Sequence, residues 1–370
     1  MLTVEAHAAL EPLGAEWQAL VDRAPEATVF QSWEWIATFW KHRGRGQLWV
    51  LVAREAGRMV GILPLAIARY RGLPLRRVSF LGAPLSDYQD LISEAGRAAE
   101  CAGAFFAHLR EHAARWDLVD LADVREDSAL AQMRMPGLIV APHRICPFLA
   151  LPASWDSYQQ TLGRNLRGNL GRKRRQLEAR LGARFDTVPA GEIEPALETL
   201  YRLHNRRWRR RGLAGAFAAE GVRSFHREVA PLLAARGWLR LHRLQAGGAT
   251  RAVLYCFGHR GRVYYYLGGF DLALSNYGPG NLLLAHAIAQ AIDEGAAELD
   301  FLRGDEHYKF EWGARERRTV RLVWAHPTVR ATLARGLNRI EREAEALGSR
   351  LRNRLWGRPT ATKAGRPGRR

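Results

Sequence analysis

The chain has 370 residues, 47% of them hydrophobic, and a formal net charge of +19. Its length and apolar content support a real core and two domains. No run approaches the roughly 18 apolar residues of a membrane-spanning helix, the Met1–Leu10 start carries Glu5 and does not read as a signal peptide, and Cys101, Cys146 and Cys256 are too few and too scattered for a disulfide framework or a cysteine metal site, so a cytoplasmic, metal-free protein is expected.

An apolar-alternating stretch, Leu2–Ala6, opens the chain, and helical patterns follow at Glu11–Asp22 and Ser32–His42. At and just before the second of these, Phe30, Trp33 and Trp40 form an aromatic group at helical spacing that reads as core. Strand patterns run over Leu48–Arg54 and Met59–Tyr70, joined by the turn signal Ala56-Gly57, and another is placed at Arg77–Leu81. A helix over Arg97–Arg115 leads to the short apolar strand Trp116–Leu121, and the Pro-containing stretch Ala122–Pro147 reads as connector. From Ser154 to Leu181 the pattern is a basic helix bearing Arg164, Arg167, Arg172, Lys173, Arg174, Arg175 and Arg180, weakened by Gly163, Gly168 and Gly171.

The second half has a strand at Ala183–Val188, helices at Glu192–Arg211 and Glu220–Arg236, and three close-set strands, Trp238–Leu244, Arg251–Gly258 and Arg262–Phe270. A loop, Asp271–Gly280, precedes an amphipathic helix, Asn281–Glu294, which Gly295 stops. Strands at Glu298–Leu302 and Arg318–Trp324 and a helix from Pro327 to Leu355 complete the set. Both halves share one order: strand, two helices, antiparallel strands, helix, strand ending near an acid. That order points to an internal duplication.

Nearly all the basic charge is arginine, since only Lys41, Lys173, Lys309 and Lys363 are lysines. GC-rich codon choice gives that skew as readily as an anionic partner, so local clusters carry more than the total. One is Arg164–Arg175; another is Arg206-Arg207-Trp208-Arg209-Arg210-Arg211, preceded by His204 and Asn205. Either suits a phosphate-rich acceptor, tRNA or an anionic polymer, or is a solvated helix face. In Ser275-Asn276-Tyr277-Gly278-Pro279-Gly280, two glycines before a helix let the backbone approach a ligand, and the helix start directs free N–H groups at an anion such as a diphosphate. Charged and aromatic residues crowd Arg303–Trp312, at the end of a strand. There is no Gly-x-Ser-x-Gly elbow, Walker loop or His-Glu-x-x-His helix.

On these residues the second half resembles the GNAT acyltransferase fold. More narrowly, Tyr264-Tyr265-Tyr266-Leu267-Gly268-Gly269-Phe270-Asp271, Tyr277-Gly278-Pro279-Gly280 and Asp300-Phe301-Leu302-Arg303-Gly304-Asp305-Glu306, with Tyr308-Lys309 and Trp312-Gly313, resemble the BioF2-like, CelD-type acetyltransferase domain. That group includes proteins linked to cellulose and exopolysaccharide production. The chain is also similar to the Fem aminoacyltransferases, which have two GNAT-like halves and take their acyl group from aminoacyl-tRNA. The close motifs cover about residues 155–325; the first half matches more loosely, through Phe30–Trp35 and Gly61–Leu65.

The resemblance implies an α/β fold (an α+β mixed sheet) of two tandem GNAT-like domains. These are residues 1–150 and an acyltransferase domain, 151–326, that starts with the basic helix; a C-terminal helix, 327–356, and a disordered basic tail, 357–370, follow. It implies acetyl-CoA as donor, its diphosphate held by Tyr277, Gly278, Gly280 and Asn281, and an amine or hydroxyl acceptor such as a sugar. Asp305 or Glu306 would be the base and Tyr308 the acid that protonates the leaving thiolate. Arg303 or Lys309 would hold an anionic group, with Trp312, Arg164 and Arg207 also on the substrate side. The family's diphosphate signature carries Gln or Arg three residues before the first glycine, where this chain has Ser275. An aminoacyl-tRNA donor and a non-catalytic scaffold for an anionic polymer are the alternatives.

Overall fold

The computed structural model describes residues 1–356; the tail expected to be disordered from Gly357 lies outside the described residues. Thirteen strands form one mixed sheet: β1 (Thr3–His7), β2 (Gln47–Glu55), β3 (Arg58–Arg69), β4 (Arg76–Phe80), β5 (Ile92–Ser93), β6 (Leu118–Arg125), β7 (Leu138–Ala150), β8 (Arg184–Thr187), β9 (Leu239–Ala246), β10 (Ala249–His259), β11 (Arg262–Phe270), β12 (Glu298–Asp300) and β13 (Arg315–Trp324). The helices are α1 (Gly14–Arg23), α2 (Trp33–Arg43), α3 (Ala98–Glu111), α4 (Trp155–Thr161), α5 (Arg164–Leu181), α6 (Ile193–Arg209), α7 (Glu220–Ala235), α8 (Pro279–Asp293), α9 (His307–Glu311) and α10 (Val329–Trp356).

The duplication is visible in the strand order, which runs β1-β2-β3-β4-β6-β13-β7-β12-β11-β10-β9-β8, with β5 beside β3. From each edge inward, four antiparallel strands end in one parallel pair, β4 with β6 and β11 with β12. In each half two helices follow the edge strand, and one helix, α3 or α8, crosses over to make the parallel pair. The halves then exchange their last strands. β7 pairs with β12, β13 pairs with β6, and β7 and β13 pair with each other, so the sheet runs unbroken through the middle.

The stretch expected to be connector is therefore a central strand, β7. Its prolines hid it, because proline cannot donate to a ladder. Pro142 sits where the register to β13 shifts, between Arg318 and Val320, and the carbonyl of Pro147 accepts from the Phe301 N–H at 2.9 Å. The single basic helix is in fact two, α4 and α5, because Gly163 takes an extended ψ of 140° and caps α5. Ser154 starts α4 by accepting the Ser157 N–H.

Edge-to-face aromatic packing seals the halves. The α2 ring of Trp35 lies 4.9 Å from Phe225 of α7 and 5.6 Å from Phe257 of β10, and Phe30 lies 6.0 Å from Phe257. The Trp35 indole N–H donates to Ser86 Oγ at 2.8 Å. Of the aromatic group read as core, Phe30 is buried, while Trp33 and Trp40 pack half-buried against a core that both halves share.

Candidate functional site

The site of the second half begins where β11 and β12 part. They pair only over Arg262–Tyr264 and Glu298–Asp300. Beyond Asp300 the chain turns away, with Leu302 at φ 56°, and a cavity of about 240 Å³ opens between β10, β11 and α8. Its apolar wall includes Val253, Leu254 and Phe270; Ser275, Gly278, Gly280 and Asn281 line its mouth, and Arg207 and Tyr308 supply polar groups. A second cavity, of about 470 Å³, adjoins it at Gly278 and Asn281 and runs beneath α5, past Asn165, Asn169, Lys173 and Tyr277.

The turn between the cavities is built for backbone approach. Gly278 holds φ 63°, ψ 51°, where a side chain would be strained. Pro279 at the first helical position lacks an N–H that would have no partner in the helix anyway. Asp271 fixes the preceding segment by accepting the Ala273 N–H at 3.0 Å and pairing with Arg251 at 2.9 Å. A Cβ on Gly278 would stand 3.6 Å from Lys173 Nζ, so α5 brings an ammonium group to the helix start. A basic group from a distant helix thus stands beside the turn in which Ser275 takes the place of the family signature's Gln or Arg, and the sequence reading counted Lys173 only as part of a basic stretch.

The remaining expected residues divide. Tyr277 is half-buried beside the second cavity and its hydroxyl lies 3.5 Å from Arg180. Arg207 reaches the first cavity with its guanidinium over the Phe270 ring, 4.6 Å from the centroid. Arg164 is exposed at the start of α5 and lines neither cavity. Burial, with help from Tyr265 and Glu306, lifts the Tyr308 phenol well above its usual range, so it stays protonated. Asp305 is exposed and Glu306 half-buried.

Lys309 and Trp312 depart from expectation. Lys309 is buried, its Nζ within 2.8–3.4 Å of the carbonyls of Phe301, Leu302, Arg303 and Gly304 and 2.8 Å from Glu306 Oε2. It ties the loop after β12 together rather than facing a ligand. Trp312 is buried in the core, and its carbonyl accepts from Tyr158 at 2.7 Å. Both were read as substrate residues because sequence gives side-chain chemistry without direction.

Arg303 crosses to the first half. It donates to the Pro84 carbonyl at 2.7 Å and pairs with Asp87 at 3.4 Å and Asp123 at 3.5 Å. Beside it, fully buried Asp300 accepts from Tyr88 Oη, Arg317 Nη1 and the Leu302 N–H, each at 2.7 Å. Tyr88 and Asp123 hold φ of 49° and 60° and, like Leu302, are neither glycine nor asparagine. Strained positions of this kind persist where the surroundings over-determine them, often at functional sites. No spacing signal marked Asp87, Tyr88 or Asp123, because their partners come from the other half.

The first half has a cavity of about 270 Å³ in a different place, lined by the stretch after α1, β5, the start of α3 and the loop after β6. It lacks the Gly-x-Gly turn, and Asp90 lines it. Burial lifts the Asp90 carboxyl to about 7, against hydrogen bonds from Ser128 and the Leu91 N–H. The unfolded chain loses that proton near 3.8. Between these values the folded state binds more protons than the unfolded one, so raising the pH from about 4 to about 7 removes stability. Asp90→Asn is expected to flatten that part of the stability–pH profile and to be more stable than the native chain at pH 7, by on the order of 2 kcal/mol in urea unfolding. Parallel profiles would show that Asp90 ionises normally.

Residues 164–310 match the acetyltransferase (GNAT) domain family. No curated protein matches the chain by sequence. Among solved structures, FemX superposes with a TM-score of 0.65 at 12% identity, over 88% of this chain and 97% of FemX. L-PGS from Bacillus licheniformis gives 0.55 at 11%, over 93% and 97% of the two chains. A conserved protein of unknown function from Bacteroides thetaiotaomicron gives 0.56 at 9%, over 88% and 100%. The splayed parallel pair, the glycine turn before α8 and the repeat of the whole arrangement agree with these matches: residues 164–310 are similar to the acetyltransferase (GNAT) domain, and the chain as a whole shares its fold with FemX.

Proposed function

We propose that this protein transfers an acyl group, acetyl from acetyl-CoA, to an amine or hydroxyl acceptor. The observation that carries the reading is the pair of adjoining cavities meeting at Gly278 and Asn281, with Lys173 beside the turn. The chemistry suits a donor with an anionic diphosphate and a thin apolar arm. The start of α8 and Lys173 would hold the diphosphate, and Val253, Leu254 and Phe270 would sheathe the arm. Tyr308, protonated at neutral pH, would donate to the departing thiolate, and Glu306 or Asp305 would take the acceptor's proton. The acceptor would approach from the junction of the halves, where Arg303 meets Asp87 and Asp123. A role in exopolysaccharide or cell-envelope assembly rests on family resemblance.

Free-thiol release from acetyl-CoA with a panel of amines and sugars tests the activity. Tyr308→Phe should lower kcat about a hundredfold and leave KM for acetyl-CoA nearly unchanged; an unchanged kcat would remove Tyr308 from the reaction.

A second reading, aminoacyl-tRNA as donor, is favoured by the likeness to FemX and by the exposed arginines Arg164, Arg167, Arg172 and Arg174 of α5. Salt-sensitive tRNA binding without stabilisation by acetyl-CoA would support it.

A further inference from the structure

The C-terminal helix α10 is docked through small and polar residues and Leu337, and turns Val329, Leu333, Ile340 and Leu347 outward. Ala331 and Ala334 are buried against the first half. Asn338 donates to Asp120 Oδ2 at 2.9 Å, and Glu341 pairs with Tyr70 and Arg71. On the opposite side Val329, Leu333, Ile340 and Leu347 are 88%, 56%, 65% and 59% exposed. Their positions fall on one stripe of a helix, with Gly336 between them. A helix covered only by its own protein turns such a stripe inward. Here the inward contacts fix the helix and leave the stripe free.

The charge around the stripe says what covers it. Arg330, Arg335 and Arg339 are exposed beside it. From Val329 to the end of the chain the sequence has twelve basic residues and three acids, Glu341, Glu343 and Glu345. Glu341 is among the inward contacts. We infer that α10 lies on an anionic phospholipid membrane surface, its aliphatic stripe among the acyl chains and its arginines against the headgroups. Among the described residues no helix is long and apolar enough to cross a membrane, so the helix rests on the bilayer.

A second copy of the chain fits the stripe poorly. Two such helices would bring arginine flanks together on chains of net charge +19. Glu343 also falls between Ile340 and Leu347, where a heptad seam needs an apolar residue. A nucleic acid would use the arginines and leave the aliphatic stripe in water.

Sedimentation of the full chain with vesicles tests the inference, which stands apart from the acyl-transfer reading. Equimolar phosphatidylglycerol and phosphatidylcholine should bind it at least about tenfold more tightly than phosphatidylcholine alone, and added salt should weaken that binding. Leu333→Glu with Ile340→Glu should cost at least about tenfold in vesicle affinity, by removing apolar insertion. The melting curve should not move, because both side chains are exposed. Arg335→Glu with Arg339→Glu should lose affinity for the anionic vesicles only. The inference is overturned if anionic vesicles do not bind the chain, if the Leu333→Glu, Ile340→Glu variant binds them as well as the native chain, or if the free protein is a dimer that this variant makes monomeric.

Discussion

Asn281→Trp abolishes the response to acetyl-CoA and leaves the fold intact, if the donor lies where the two cavities meet. Asn281 is exposed on the first turn of α8 and lines both cavities. An indole there fills their junction without entering the core, so the melting temperature of the free protein should stay where it is. A ligand at about 100 times its Kd stabilises a folded protein by about 2.7 kcal/mol. The native chain should therefore melt several degrees higher with saturating acetyl-CoA, and Asn281→Trp should show no rise. Lys173→Glu tests the same site from α5. It reverses the charge beside Gly278 and should weaken acetyl-CoA binding most at low salt. Native-like acetyl-CoA affinity in both variants would place the donor elsewhere.

Asp300→Ala should cost about 3 kcal/mol or more of stability in urea unfolding. The Asp300 side chain is wholly buried and receives three donors from three places: Tyr88 in the first half, Arg317 on β13 and the Leu302 backbone. Burial holds its carboxyl near 7, above the usual range, against the pull of Arg317. Removing it leaves the Tyr88 hydroxyl and the Leu302 N–H without their acceptor. Arg317 keeps Glu298, at 2.8 Å to each carboxylate oxygen, so its charge is not stranded. Asp300→Asn retains one acceptor oxygen and should lose less. A loss below about 1 kcal/mol for the alanine variant would mean that this junction does not hold the halves together.

The two predictions differ in how far the sequence alone could have made them. The glycine turn was legible because its requirement is local. A helix start that admits a ligand needs close backbone approach, which Gly278 gives by its positive φ before Pro279 at the first helical position and Gly280 by its lack of a side chain. Asp300 was legible only as an acid ending a strand. Its partners, and those of Arg303, come from Pro84, Ser86, Asp87, Tyr88 and Asp123, in stretches whose polar residues follow neither helical nor strand spacing. Lys309 and Trp312 show the opposite error. Their chemistry suggested a ligand, but both face inward, one to four carbonyls and the other to the core.

By itself the sequence determined the periodic elements, the repeat of their order, the glycine turn before α8 and the aromatic character of the core. Each follows from propensity, patterning or backbone freedom within a short stretch. Only the tertiary structure decided that β7 and β13 change places between the halves, that Lys173 arrives at Gly278, that the acid cluster straddles both halves, and that α10 turns its aliphatic stripe outward. Those outcomes depend on which distant surfaces meet. Hydrophobic burial is non-directional, so a local pattern can say that a face must be covered without saying by what.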